Sequence, residues 1–96
     1  MMDSFVSFVE DQLRALPDVR LRAMFGGHGV YQGEVFFAIV HKGRLYFKTT
    51  PQTAGDYINM GMRSFKGLKN YYEVPVDIVE DDSKLVAWAR VAIQLD

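Results

Sequence analysis

The sequence predicts an α+β domain, a two-layer sandwich in which helices cover one face of a mainly antiparallel, five-stranded sheet. Near both ends of the chain, apolar residues recur every three or four positions, as in amphipathic helices. In the middle they alternate with polar residues, as in half-buried strands. Short glycine-containing turns separate these runs, so consecutive strands are expected to pair as antiparallel hairpins. The predicted order of elements is α-βββ-α-ββ-α.

The first helix is predicted over residues 4–16, with Asp3 or Ser4 as its N-terminal cap and Pro17 as its stop. Spacings of three and four residues place its apolar side chains on one face. That face consists of Phe5, Phe8, Val9, Leu13 and Leu16.

Three strands are predicted next. The first is one long strand, roughly residues 20–32, that changes direction at a bulge or bend at Gly26-Gly27. Turns at Gly33-Glu34 and Lys42-Gly43 separate it from the second and third strands. The second strand, "VFFAIVH", is apolar on both faces, which favours a central position in the sheet.

A second helix is predicted from Thr50-Pro51 to Gly61, because Thr is a good cap and Pro fits the first helical turn. Two short strands are expected around Arg63–Lys66 and Asn70–Val74, joined by a turn at Gly67. A C-terminal helix starts at Asp82 or Ser83. Its predicted buried stripe consists of Leu85, Trp88, Ala92 and Leu95.

The composition indicates a single domain over residues 1–96. With 49% hydrophobic residues the chain can form one core, and it has no cysteine to form a disulfide or ligate zinc. No apolar run approaches the roughly 20 residues that span a bilayer. The first residues lack the basic start of a signal peptide, so a soluble cytoplasmic protein is expected.

The formal net charge of −1 hides an uneven distribution of charge along the chain. Residues 1–19 hold one basic and four acidic side chains, and residues 73–96 hold two basic and six acidic ones, which gives −3 and −4. Residues 20–72 hold eight basic and two acidic side chains, which gives +6. The middle of the chain is therefore expected to present a local basic patch.

The stretch "MFGGHGVY" raises the question of a phosphate-binding loop. Gly26, Gly27 and Gly29 lie between strand-like segments and do not open a helix, so we assign them a structural role. The two histidines, His28 and His41, lack a metal-binding spacing, and no serine occupies a nucleophile elbow. We expect no enzyme activity, no metal and no cofactor.

One pattern on the predicted strands stands out, because Arg and Lys alternate there with Tyr on a single sheet face. Such a face has three interpretations: a solvated surface, a protein contact that includes a homodimer, or a weak binding surface for single-stranded nucleic acid. The sequence leaves these alternatives open. The candidate residues are Arg20, Arg22, Arg44, Tyr46, Lys48 and Tyr71.

Four blocks together resemble one family. They are "MFGGHGVY", "FFAIVHKGRLYFKT", "YYEVPVDIVED" and "LVAWARVAI", and they are similar to the N-terminal domain of TfoX/Sxy-type regulators of natural competence. The resemblance implies a fold like that of secretion chaperones. It also implies a non-enzymatic role in bacterial transcriptional regulation together with the cyclic-AMP receptor protein.

The resemblance also bears on domain organisation. Gly26, Gly27, Gly29, Tyr46 and Lys48 match the family's recurring pattern. Full-length competence regulators carry a second, helical domain, whereas this sequence stops at Asp96. We therefore expect either a stand-alone N-terminal domain or a fragment of a longer regulator.

Overall fold

The computed structural model describes residues 4–24 and 26–95 and confirms the α+β class and the antiparallel, five-stranded sheet. No helix in these residues is long and apolar enough to cross a membrane. Asp3 and Phe25, which entered the predictions above, lie outside the described residues. The elements in chain order are α1 (Ser4–Gln12), β1 (Val19–Met24), β2 (Gly27–Gln32), β3 (Val35–His41), β4 (Arg44–Lys48), α2 (Pro51–Asn59), β5 (Tyr71–Glu73), α3 (Val76–Val79) and α4 (Asp82–Ile93).

The strands lie side by side in chain order, and each pairs antiparallel with the next. β3 is the central strand, as its apolar sequence predicts. A bulge interrupts its pairing with β2, because Val30 pairs with Ala38 and Tyr31 pairs with Phe36. Phe37 is the extra residue, and both Phe37 and Ala38 join the core on the helix side of the sheet.

All four helices pack on one face of the sheet, and the main core lies between the two layers. The side chains of Phe37 and Phe47 are fully buried there, with ring centroids 5.9 Å apart. Burying a side chain of this size stabilises the fold by about 1.5–3 kcal/mol. The helices contribute Val6, Val9, Tyr57, Val79, Leu85, Ala89 and Ala92 to this core.

The other face of the sheet, called the outer face below, carries a smaller apolar cluster. Ile39 and Tyr71 lie under the segment 62–70, which follows α2 and brings Phe65 and Leu68 onto the strands. Phe36 and Tyr46 complete the cluster at its margins. The outer face is therefore apolar beneath the 62–70 segment and around Phe36, whereas β1 carries exposed arginines, Arg20 and Arg22.

The predicted long strand over residues 20–32 is wrong. Residues 19–24 and 27–32 form two antiparallel strands, β1 and β2, so the chain reverses at Gly26. Gly26 has a φ of +73°, a left-handed conformation that glycine adopts without steric strain. The alternation of apolar and polar residues is the same in one long strand as in two hairpin strands, so it could not reveal the reversal.

The predicted strand over Arg63–Lys66 is also absent, and only Ser64 forms a single bridge with Tyr72. Two backbone bonds hold this segment beside β5: the Phe65 N–H donates to the Tyr71 carbonyl at 2.7 Å, and the Glu73 N–H donates to the Arg63 carbonyl at 2.9 Å. The pairing is too short for a ladder. The sheet reaches five strands because β1 and β2 are separate.

The helix boundaries follow the predictions more closely. The Thr50 hydroxyl accepts from the Thr53 N–H in a capping box at the start of α2, and Gly61 follows the end of that helix as predicted. Asp81 caps α4, and its side chain accepts from the Lys84 N–H at 3.1 Å. α1 ends at Gln12, before the predicted residue 16. The single-turn helix α3 was not predicted.

Candidate functional site

An open groove of about 700 Å³ runs along the outer face, between the β3–β4 hairpin and the segment that follows α2. Its lining is rich in basic and aromatic side chains. The lining residues are His41, Lys42, Arg44, Tyr46, Gly61, Met62, Arg63, Ser64, Phe65, Lys66 and Glu73.

The β3–β4 hairpin forms one wall of the groove. Lys42 and Gly43 have φ values of +50° and +74°, which is the pattern of a type I′ turn. Beyond this turn, the buried side chains of Leu45 and Phe47 enter the core. The intervening residues, Arg44 and Tyr46, therefore point to the outer face.

The segment 61–66 forms the opposite wall, and its conformation is fixed by contacts with neighbouring elements. The Met62 N–H donates to the Tyr57 carbonyl of α2 at 3.0 Å. The Phe65 ring packs edge-on against His41, with centroids 5.3 Å apart, and against Tyr46, with centroids 5.1 Å apart. Because Phe65 is buried on the sheet, Arg63 and Lys66 are held on either side of it and stay exposed.

The groove is electropositive. Of its described lining residues, Lys42, Arg44, Arg63 and Lys66 carry positive charge, and Glu73 is the one carboxylate. Nη1 of Arg44 donates to both carboxylate oxygens of Glu73, at 2.9 and 3.0 Å. This pair neutralises itself, so an uncompensated positive charge remains on the other three side chains.

Tyr46 lies at the floor of the groove beside this pair. Burial raises the pKa of its hydroxyl, and the negative charge of Glu73 raises it further, whereas Arg44 lowers it. The hydroxyl is therefore protonated at neutral pH and can donate a hydrogen bond. An anionic group in the groove would meet this donor as well as the cations.

The structure brings together only part of the candidate surface that the sequence indicates. Arg44 and Tyr46 lie in the groove. Arg20 and Arg22 lie on β1, three strands away, which corresponds to roughly 14 Å at the usual strand spacing. Lys48 lines a separate cavity of about 150 Å³ between α2 and α4, together with Tyr57 and Trp88.

The sixth candidate, Tyr71, is removed from the surface, which corrects its assignment as a contact residue. Its side chain is only 4% exposed, and its ring stacks on Phe36 with centroids 5.2 Å apart. Its hydroxyl donates to the Phe36 carbonyl at 3.2 Å, and burial raises its pKa to about 12. Tyr71 therefore holds the outer cluster together and offers no ring face to a partner.

Sequence reasoning missed several groove residues, including Lys42, Arg63 and Phe65. Lys42 lies in a turn, where the alternation of strand side chains assigns no residue to a sheet face. Arg63 was assigned to a strand that does not form. The excess of basic residues between positions 20 and 72 was the available signal, because it already contained both cations.

The glycines of "MFGGHGVY" have structural roles. A Cβ atom at Gly27 would overlap the Val40 carbonyl oxygen of β3, and one at Gly29 would overlap the Met24 sulfur and press on the Phe36 ring. Neither glycine lines the groove. Among residues 4–24 and 26–95, no three His, Asp or Glu side chains lie close enough together to hold a metal ion.

Comparison with known proteins gives one result that covers most of the chain. The family model described as the TfoX N-terminal domain matches residues 11–95. No curated protein matches the chain. The matched residues include every strand, the groove and the helices α2, α3 and α4.

Proposed function

The chain belongs to the TfoX N-terminal domain family, and we propose that it is a non-enzymatic regulatory domain that acts by binding a protein partner. Family membership supports a regulatory, competence-related role in general terms. The finer proposal is that the domain works in bacterial transcriptional regulation, in the cytoplasm, and that its outer-face groove is the contact surface.

The observation that carries this proposal is the charge of the groove. Three of its cations, Lys42, Arg63 and Lys66, have no acidic neighbour in the lining except Glu73, which Arg44 already holds. Exposed charges of one sign on a concave surface attract an oppositely charged partner and guide its approach. The partner surface that fits is acidic.

The carboxylate that could otherwise serve acid–base chemistry in the groove is already engaged. Glu73 accepts two hydrogen bonds from Arg44. This supports a binding role over a catalytic one.

Single-stranded nucleic acid is the second candidate, because the groove cations could also neutralise phosphates. Base binding of that kind needs exposed aromatic ring faces. In the groove, however, Phe65 is 9% exposed, and Tyr46 packs against it. An acidic protein surface therefore fits the groove better than stacked bases do.

The first partner to test is the cyclic-AMP receptor protein, which the likeness to competence regulators implies. The purified domain would be titrated into this protein by isothermal titration calorimetry, at low and near-physiological salt. The test variant is Arg63→Glu/Lys66→Glu. The matched control is Lys84→Glu/Arg90→Glu, which makes the same charge change on the exposed side of α4.

A fluorescent hexaglutamate peptide and a labelled twelve-nucleotide thymidine oligomer would be titrated in parallel. We expect salt-sensitive binding of the receptor protein and the acidic peptide, weakened at least tenfold in the groove variant and unchanged in the control. Tighter binding of the oligonucleotide than of the peptide would transfer the function to nucleic acid. Equal weakening in both variants would contradict a role for the groove.

A further inference from the structure

We propose that the exposed edge of β1 binds an extended acidic segment of a partner protein as a sixth strand of the sheet. This edge lies at the opposite end of the strand order from the β5 edge beside the groove, and the inference does not depend on the function proposed above. The added strand would carry acidic residues at alternate positions and apolar residues between them.

The two edges of the sheet differ in how they are covered. At the β5 edge, the backbone bonds from Phe65 to Tyr71 and from Glu73 to Arg63 occupy the groups that face outward. At the other edge, β1 is the last strand in the order, and among residues 4–24 and 26–95 it pairs with β2 alone. A bare edge of six residues is long enough to template another strand.

The backbone groups that face outward from β1 follow from its pairing with β2. The Gly33 N–H donates to the Asp18 carbonyl at 2.9 Å, so the backbone carbonyl of Asp18 points toward β2. Hydrogen-bonding direction alternates along an antiparallel strand. Arg20 and Arg22 therefore bond to β2, whereas the N–H and C=O groups of Val19, Leu21 and Ala23 point away from the sheet.

The side chains of β1 specify what an added strand should carry on each face. Arg20 and Arg22 lie on the outer face, and Arg20 is in contact with Asp18 at 3.1 Å through an exposed, weak ion pair. The Arg22 guanidinium lies 5.6 Å from the centre of the Tyr31 ring. Acidic side chains directly opposite these two arginines would form favourable cross-strand pairs.

On the helix side, a groove of about 460 Å³ lies between α1 and Val19 at the start of β1. Its lining has an apolar part, Leu13, Leu16 and Val19, and a polar part, Ser7, Glu10, Asp11 and Arg14. An added strand would direct the side chain opposite Val19 toward the apolar part of this lining. The required pattern is therefore acidic on one face and apolar on the other.

A second copy of this chain fits the edge poorly. In an antiparallel pair of β1 strands centred on Leu21, Arg20 lies opposite Arg22 on both sides of the centre. Moving the centre by one residue places Arg20 opposite Arg20 or Arg22 opposite Arg22. Like charges directly opposite each other destabilise a strand pair, so the same arginines that favour an acidic strand oppose self-association.

The probe is a fluorescent peptide of alternating Val and Glu, eight residues long with a glycine at each end, and its control replaces each Glu with Lys. Binding is measured by anisotropy, and the site by amide chemical shifts and hydrogen exchange. We expect the Glu peptide to bind and the Lys peptide not to bind. The bound Glu peptide should slow hydrogen exchange at the amides of Val19, Leu21 and Ala23.

Three variants test the assignment. Ala23→Pro removes one outward N–H and keeps the bonds to β2, so it should weaken binding at least tenfold while the fold is retained. Arg20→Glu/Arg22→Glu should reverse the preference to the Lys peptide. Lys84→Glu/Arg90→Glu makes the same charge change on the exposed side of α4 and should leave peptide binding unchanged.

Several results would overturn the proposal. They are an absence of peptide binding, protection at the groove in place of β1, equal weakening by the α4 variant, or a dimer with β1 amides protected before peptide is added. A failure of the receptor-protein titration with this peptide still bound at β1 would contradict the groove proposal alone.

Discussion

At the scale of single residues, close packing explains why small residues occupy the start of β2. Gly27 lies directly against the backbone of β3, and the close approach of Val40 leaves no room for a side chain. Gly29 lies beneath the side chains of Met24 and Phe36 on the outer face. Glycine at these positions lets β2 pair closely with β1 and β3. The sequence predicted a structural role for the glycines, but it did not predict which strands lie beside them.

Gly27→Ala is expected to destabilise the domain by roughly 1–3 kcal/mol, because the new methyl group forces β2 and β3 apart. The control is Gly55→Ala in α2, where a Cβ atom meets nothing within 4 Å. Alanine favours the helix there, so this variant should gain about 0.5–1 kcal/mol. Urea unfolding measures both, and equal stability of the two variants would contradict the packing argument.

The buried tyrosines should make stability fall at alkaline pH. Burial raises the pKa of Tyr71 to about 12, and it raises the pKa of Tyr57 further. An unfolded tyrosine ionises near pH 10. The folded state disfavours ionised tyrosine. The contribution of Tyr57 and Tyr71 to the free energy of unfolding is therefore complete below about pH 10 and is lost as the pH rises toward 12.

Tyr71→Phe tests this assignment. The variant should lose about 0.5–1.5 kcal/mol at neutral pH with its hydrogen bond to Phe36, and it should then lose less stability than the natural protein between pH 10 and 12. Urea unfolding at a series of pH values measures this. Tyr72→Phe, on the helix side of β5, is the control. Parallel curves of unfolding free energy against pH for Tyr71→Phe and the natural protein would contradict the assignment.

At the scale of elements, the predictable features were those that depend on local chemistry. Two helix starts are marked by side chains that accept a hydrogen bond from a backbone N–H three residues later. They are Thr50 at α2 and Asp81 at α4. The β1–β2 reversal and the bulge at Phe37 depend on which strand lies alongside, and this is not a local property. The length of the predicted 20–32 strand was nevertheless a warning, because strands average about five or six residues.

The capping box of α2 gives a prediction at this scale. Thr50→Ala should destabilise the domain by about 1 kcal/mol, because the Thr53 N–H loses its acceptor and the helix start frays. Thr50→Ser keeps the hydroxyl and should stay within a few tenths of a kcal/mol of the natural protein. Thermal unfolding followed by circular dichroism measures both, and an equal loss for serine would assign the effect to the methyl group.

At the scale of the whole molecule, the fold converts a charge pattern along the chain into a difference between surfaces. The basic middle of the sequence supplies the strands and the groove wall, whereas the acidic ends supply α1, α3 and α4. The sequence could therefore predict that a basic patch exists. It could not assign all residues to the patch, because Arg63 and Lys66 meet Lys42 and Arg44 only after the segment 61–66 folds back over the sheet.

This separation of charge predicts binding to a polyanion in spite of a net charge of −1. On a heparin column at neutral pH, the natural domain should be retained at low salt, because exposed cations in the groove act at short range. Arg63→Glu/Lys66→Glu should elute earlier. Lys84→Glu/Arg90→Glu carries the same net charge but changes α4, and it should elute with the natural domain.

Glu73→Gln should elute later than the natural domain, because it removes the carboxylate that Arg44 holds in the groove. The exposed ion pair contributes about 0–1 kcal/mol, so the stability of this variant should change little. If both double variants shift equally, the elution order follows net charge alone, and retention on heparin does not depend on the groove. Separation of the two double variants would instead place the anion-binding surface in the groove.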